Sequence, residues 1–194
     1  MLLTAPPVNV HGASLPSKPP FTINSVPPPP PPLTVNGAGG AELIVNGGFE
    51  GSAAPWTLSG NDAFFSMGGN QHSGTGYLIL GGVNNGSGMA FQQITIPSGT
   101  SPSLNFWLNV TSAETTTTTQ FDRFFVEVRN TSGTLLATLA TFSNLNKVAA
   151  TNAYTLRGPF NLASFAGQTV RIQFRGTTDS SLITSFRVDD VSVK

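Results

Sequence analysis

There is no cysteine anywhere in the 194 residues. That excludes a disulfide framework and any thiolate metal site. Charge is nearly as scarce. Nine basic and nine acidic side chains make up 9% of the chain and cancel to a formal net charge of zero, where an ordinary soluble protein carries about 25% charged residues. Nucleic-acid binding needs a dense basic patch, and this composition gives no sign of one. Long apolar runs are missing too. No stretch approaches the roughly 18–20 residues that a membrane span requires. The first residues, "MLLTAPPVNVHG", have neither a basic segment nor a sustained apolar one, so they do not read as a signal peptide. Two origins fit: a mature fragment, or a chain that starts here and assembles inside the cell, as a phage virion protein would.

Catalytic signatures are also lacking. The two histidines are His11 and His72, and no G-x-S-x-G elbow or HExxH pair is present. Asp189 and Asp190 are adjacent, an arrangement better explained by strand geometry or a metal than by glycoside hydrolysis. The expectation is a protein that is not an enzyme.

What the sequence does have is proline at one end and β pattern at the other. Eleven of the fifteen prolines fall in residues 1–40, at positions 6, 7, 16, 19, 20 and 27–32, and Lys18 is the lone charge there. Six consecutive prolines are expected to make a polyproline II rod of about 19 Å at ~3.1 Å per residue. On either side lie "FTINSV" (21–26) and "LTVNG" (33–37). A pure spacer has no need of Phe21, Ile23, Val26, Leu33 and Val35. These residues suggest an arm that contacts other protein subunits by strand addition or in an apolar groove. A plain linker is the alternative.

From residue 41 onward the pattern is β. "VRIQFRG" places Val170, Ile172 and Phe174 on one face and Arg171, Gln173 and Arg175 on the other. About eleven such runs, beginning with "ELIVN" (42–46) and ending with "TSFRVDDVSVK" (184–194), alternate with turns such as "NNGSG" and "NTSGT". No window reads as an amphipathic helix; "FNLASFAG" suits a short turn. The chain is therefore expected to be all-β, a jelly-roll sandwich over residues 41–194 behind a proline-rich arm, 1–40.

Three phrases in order, "NGGFE" (46–50), "HSGTGYL" (72–78) and "VDDVSV" (188–193), resemble the jelly-roll carbohydrate-binding modules appended to glycanases. They also resemble the β-sandwich domains of secreted bacterial proteases. The resemblance covers residues 42–194. It implies that the first and last strands lie side by side, which would bring Glu50 together with Asp189 or Asp190, and, by the family pattern, that Glu50 and Asp189 share a structural Ca²⁺ with carbonyls from Gly48 and from Ser73 to Gly76. Carboxylates at such close quarters suit a hard cation with oxygen ligands. It implies also a glycan site on a concave sheet, for which Trp107, Tyr154, Arg123 and Gln93 are the candidates. Rings meet the C–H faces of sugars, and amides and guanidinium groups meet their hydroxyls. Trp56, in "SAAPWTLSG", is expected in the core.

Two function classes stay open. One is a non-catalytic module, carbohydrate-binding or adhesive, taking polysaccharide or cell-surface glycan. The other is a structural subunit, such as a phage virion decoration protein or an extracellular filament, whose arm holds its neighbours. Either places the chain outside the cell, at the cell surface or on a virion.

Overall fold

The computed structural model describes residues 40–194. The expected subunit contacts at Phe21, Ile23, Val26, Leu33 and Val35 lie outside the described residues. Ten strands follow in order: β1 (Thr57–Gly60), β2 (Ala63–Met67), β3 (Gly76–Gly81), β4 (Ser87–Thr95), β5 (Ser103–Ser112), β6 (Arg123–Arg129), β7 (Leu135–Ser143), β8 (Thr155–Asn161), β9 (Thr169–Thr177) and β10 (Thr184–Val193). They form two five-stranded antiparallel sheets. The first, sheet A, has the order β1-β4-β9-β6-β7, and the second, sheet B, the order β2-β3-β10-β5-β8. The chain crosses between sheets repeatedly, and the result is a jelly-roll sandwich. "FNLASFAG" supplies a single 3-10 turn at Ala163–Phe165. No helix among the described residues is long and apolar enough to cross a membrane.

Period-two alternation sends one side of each sheet inward. Phe124, Val126 and Val128 of β6 pack with Val170, Ile172 and Phe174 of β9 against Phe106, Leu108, Phe186 and Val188 from the facing sheet, all essentially inaccessible. Aromatic rings hold the centre. Phe174 lies 5.0 Å from Phe106 and 5.6 Å from Phe124, and Phe124 lies 5.4 Å from Phe186, measured between ring centroids. Such contacts add to area burial. Trp56 joins them as expected, 5% exposed, its ring against Phe49 and Phe174 and its Nε1 donating to the Asn46 carbonyl.

The expected first strand, residues 42–46, is not a strand. Gln92 is buried on β4, and its side-chain amide takes both polar groups of Val45: it accepts from the N–H and donates to the carbonyl, each at 2.8 Å. A glutamine here replaces the ladder a neighbouring strand would have offered. The segment still runs beside the end of β10, with Leu43 N–H donating to Val193 and Val191 N–H to Gly47.

Candidate functional site

The three sequence phrases do meet, at one corner of the sandwich. β10 pairs regularly with β5 as far as Asp189, and the register then shifts before Ser192. Asp190, at φ +47°, sits in this bulge, which re-aims its side chain. Close packing explains the glycines. A Cβ on Gly47 would stand 1.9 Å from the Val191 carbonyl oxygen, and one on Gly74 would stand 1.7 Å from Glu50 Oε1. Asn46, at φ +52°, folds the loop that follows. Its Nδ2 donates to the carbonyls of Ser52 and Ala54, and its Oδ1 accepts from Glu50 N–H.

Each acid at this corner has a distinct environment. Asp189 is fully buried and accepts amide hydrogen bonds from His72 (2.8 Å), Ser73 (3.1 Å) and Asp190 (2.7 Å). Burial still pushes its carboxyl up to about 6. Asp190 reaches the other way. Its Oδ2 is 2.7 Å from His72 Nδ1, and its Oδ1 accepts from the Ser73 hydroxyl at 2.8 Å. Glu50 accepts from the Thr75 hydroxyl at 2.6 Å and from the Thr75 N–H at 3.0 Å. Those bonds hold its carboxyl below the usual range, against burial and the charge of Asp190. Glu50 and Asp190 share one small space. A Cβ on Gly48 would lie 3.3 Å from Asp190 Oδ1 and 3.7 Å from Glu50 Oε1. The expected partner of Glu50 was Asp189, but the bulge brings Asp190 there and turns Asp189 beneath the 72–73 amides. Gly48 and Ser73 line the same space. Gly76 turns its backbone N–H toward Glu50 and packs its Cα against the Phe49 carbonyl, where a Cβ would stand 2.0 Å from the oxygen. Among the described residues, no group of three or more His, Asp or Glu side chains is arranged to hold a metal.

The four expected sugar contacts do not converge. Trp107 lies on the outward side of β5, in sheet B, opposite Leu156 of β8 and Asp189 of β10. Tyr154 precedes β8, and its hydroxyl donates to the Asn70 carbonyl at 2.7 Å. Arg123 and Gln93 lie on the outward side of sheet A, on β6 and β4. Alternation puts the two pairs on opposite outer faces of the sandwich, and no sequence pattern reveals which sheet a strand joins. Trp107 is also covered, because the His72 ring stacks on it at 3.9 Å.

The outer face of sheet A is the more organised of the two. Across the strands the register builds adjacent rows. One holds Met89, Arg175 and Phe125. The next holds Phe91, Gln173 and Glu127. A third holds Gln93, Arg171 and Arg129. Glu127 is 1% exposed and accepts from Arg129 Nε at 2.8 Å, from Gln173 Nε2 at 3.1 Å and from Arg175 at 3.1 and 2.8 Å. Burial pushes its carboxyl up, but the two arginines outweigh burial and leave it below the usual range. The guanidinium groups of Arg171 and Arg175 lie over the rings of Phe91 and Phe125, at 4.4 and 3.9 Å. Sequence reasoning read this alternation correctly but did not assemble these rows, since Phe91, Phe125, Glu127 and Arg171 come together only through sheet order.

No family model matches the chain, and no curated protein matches it. Solved structures do. A CBM61 module, solved in complex with β-1,4-galactotriose, superposes with a TM-score of 0.57 at 14% identity, over 80% of this chain and 99% of that one. The K3 cleaved adhesin domain of Lys-gingipain from Porphyromonas gingivalis gives 0.55 at 16% identity, over 79% and 97%. The CBM22-1 xylan-binding domain of Xyn10C from Paenibacillus barcinonensis gives 0.50 at 13% identity, over 80% and 94%. The chain thus has the jelly-roll β-sandwich fold found in carbohydrate-binding modules and adhesin domains. At these identities the likeness is one of fold.

Proposed function

We propose that residues 41–194 are a non-catalytic carbohydrate-binding module that takes glycan on the outer face of sheet A, in an extracellular, cell-surface or virion setting. On this reading the proline-rich residues 1–40 are the mount, with their apolar phrases contacting neighbouring subunits. The observation that carries the glycan reading is the set of ladder rows around Glu127, where aromatic rings hold guanidinium groups beside amide donors on one fixed sheet. A glycan's oxygens need such donors, and a sheet holds them with little left to order on binding. The fold neighbours include modules described as binding galactotriose and xylan, which supports the class without naming the ligand. The test is affinity electrophoresis of the full chain through gels containing neutral and acidic polysaccharides. The expected result is retardation by at least one gel, lost in Phe91→Ala/Gln93→Ala and kept in Trp107→Ala. Free migration through the whole panel contradicts the reading.

We infer also that the Glu50–Asp190 corner takes a divalent cation, with Ca²⁺ the best match. The residues fit in that two carboxylates, which repel each other, face a common space beside Gly48 with lone pairs to spare, and the Ser73 and Thr75 hydroxyls adjoin it. An oxygen-only set of this kind selects a hard cation. Bound there, the ion would tie "NGGFE", the 72–75 loop and β10 together. Its part is structural.

A further inference from the structure

We infer that the glycan taken on the sheet A face is anionic, a polysaccharide bearing carboxylate or sulfate groups; this rests on the binding-face reading above.

The argument begins with where the charge goes. The chain is neutral overall, with six arginines and three lysines against nine acids. Four of the six arginines, Arg123, Arg129, Arg171 and Arg175, lie on this one outward face, and Glu127 is the acid among them. Four positive charges less one negative leave +3 on the face. Of the balancing acids, Glu50, Asp189 and Asp190 lie at the opposite sheet beside Arg187, and Asp122, Asp179 and Glu114 cluster by the Arg123 end of the strands. The excess on the face itself creates a local field that attracts anions.

Hydrogen-bond inventory narrows the ligand further. Glu127 is consumed by Arg129, Gln173 and Arg175, so it has little acceptor capacity left for a hydroxyl donor. Arg123 is exposed and makes no side-chain hydrogen bond among the described residues. Arg171 donates through Nη2 to the Thr131 carbonyl, and its buried Nε has no partner. Gln93 is exposed beside Arg171. The face is therefore rich in free donors and poor in free acceptors.

Ring stacking, the usual way to hold a neutral sugar, is largely blocked. The guanidinium groups of Arg171 and Arg175 each cover a face of the Phe91 and Phe125 rings. What a ligand meets is the free fork of Arg123 and the remaining N–H groups of Arg129, Arg171 and Arg175, which match carboxylate or sulfate oxygens. Arg123 and Arg129 are six residues apart on β6, about 20 Å at ~3.3 Å per residue, and Arg171 pairs with Arg129. Arg123, which makes no side-chain hydrogen bond among the described residues, and Arg171, which is tied to Thr131 by one N–H only, thus stand at opposite ends of the face. A chain carrying repeated charges can reach both, whereas a single small anion cannot.

The experiment is affinity electrophoresis and calorimetry of the full chain at low salt against five probes: polygalacturonate, dextran sulfate, xylan, dextran and double-stranded DNA. The inference expects binding to polygalacturonate or dextran sulfate, with the two arms telling carboxylate from sulfate. Affinity should fall roughly tenfold in Arg123→Gln and again in Arg171→Gln, the size of losing one charge-assisted contact each. Lys194→Gln should change nothing, and Arg123→Lys should recover part of the loss. Unchanged melting temperatures separate these effects from misfolding. Binding to xylan or dextran alone, insensitive to both arginine variants, overturns the anionic ligand while leaving the binding face intact. Equal affinity for DNA overturns sugar as the ligand. Binding to none of the five overturns both this inference and the reading beneath it.

Discussion

The imidazole of His72 lies nearly parallel to the indole of Trp107, 3.9 Å away between centroids and 16° between planes. Tyr154 stands edge-on to the same imidazole at 5.5 Å. The 70–75 loop therefore lies on the outer face of sheet B as a lid of local structure, pinned by Tyr154 to Asn70 and by Asp189 and Asp190 to His72. Trp107 is a support for that loop. Replacing it with Ala should lower the melting temperature and speed amide exchange over residues 70–75, with polysaccharide retention unchanged. Lost retention in a fully folded Trp107→Ala would move the binding face to sheet B.

The cation expected at the Glu50–Asp190 corner has a direct readout. Melting temperature should rise by several degrees on adding Ca²⁺ to chelated protein, since anything that binds the native state alone stabilises it. Glu50→Gln and Asp190→Asn should each remove most of the increment. Identical melting curves with Ca²⁺ and with chelator would show that hydrogen bonds from Thr75 and Ser73 suffice to hold these carboxylates.

Asp62 predicts an unusual pH dependence. It is fully buried, neither carboxylate oxygen has a well-aligned hydrogen bond among the described residues, and the glycines at 86, 88 and 176 close around it. Burial raises its carboxyl to about 6 from 3.8, opposed only in part by the amides of Gly81 and Asp62 itself. Between those values the folded chain keeps a proton that the unfolded chain has released. Stability therefore falls as pH rises through that window, and the full penalty applies above it. Asp62→Asn should flatten the slope and stabilise the protein at pH 7 by about 1–3 kcal/mol. A variant that is less stable at pH 7 with the slope intact would mean that the charged form is the one the fold requires.

Gln92 carries the segment that a strand was expected to occupy. Gln92→Met keeps the volume but strips Val45 of both partners. The expected cost is about 1–3 kcal/mol for the unpaired groups, read from denaturant unfolding, with faster exchange at Val45. A neutral substitution would show that water replaces the amide.

The fold was largely legible because alternation is a local signal. Val170, Ile172 and Phe174 declare their face without knowledge of any partner, and so do Phe124, Val126 and Val128. The meeting of "NGGFE" with "VDDVSV" was legible through resemblance. Three things were not. Gln92 replaces a strand ladder with one side chain, which propensity does not encode. The bulge that exchanges Asp189 for Asp190 beside Glu50 depends on one residue at positive φ. Sheet membership of Trp107 and Arg123 is a matter of topology, so residues that looked equivalent along the chain ended on opposite sides of the molecule.

The most direct test of the account maps the ligand onto the two faces. Amide resonances of ¹⁵N-labelled full-length protein would be followed during titration with oligogalacturonate at low salt. The account predicts shifts confined to Ser87–Thr95, Arg123–Arg129 and Thr169–Thr177, largest near Gln93, Arg123 and Arg171. Shifts centred on Trp107, Tyr154 and the 70–75 loop, with sheet A silent, would contradict it.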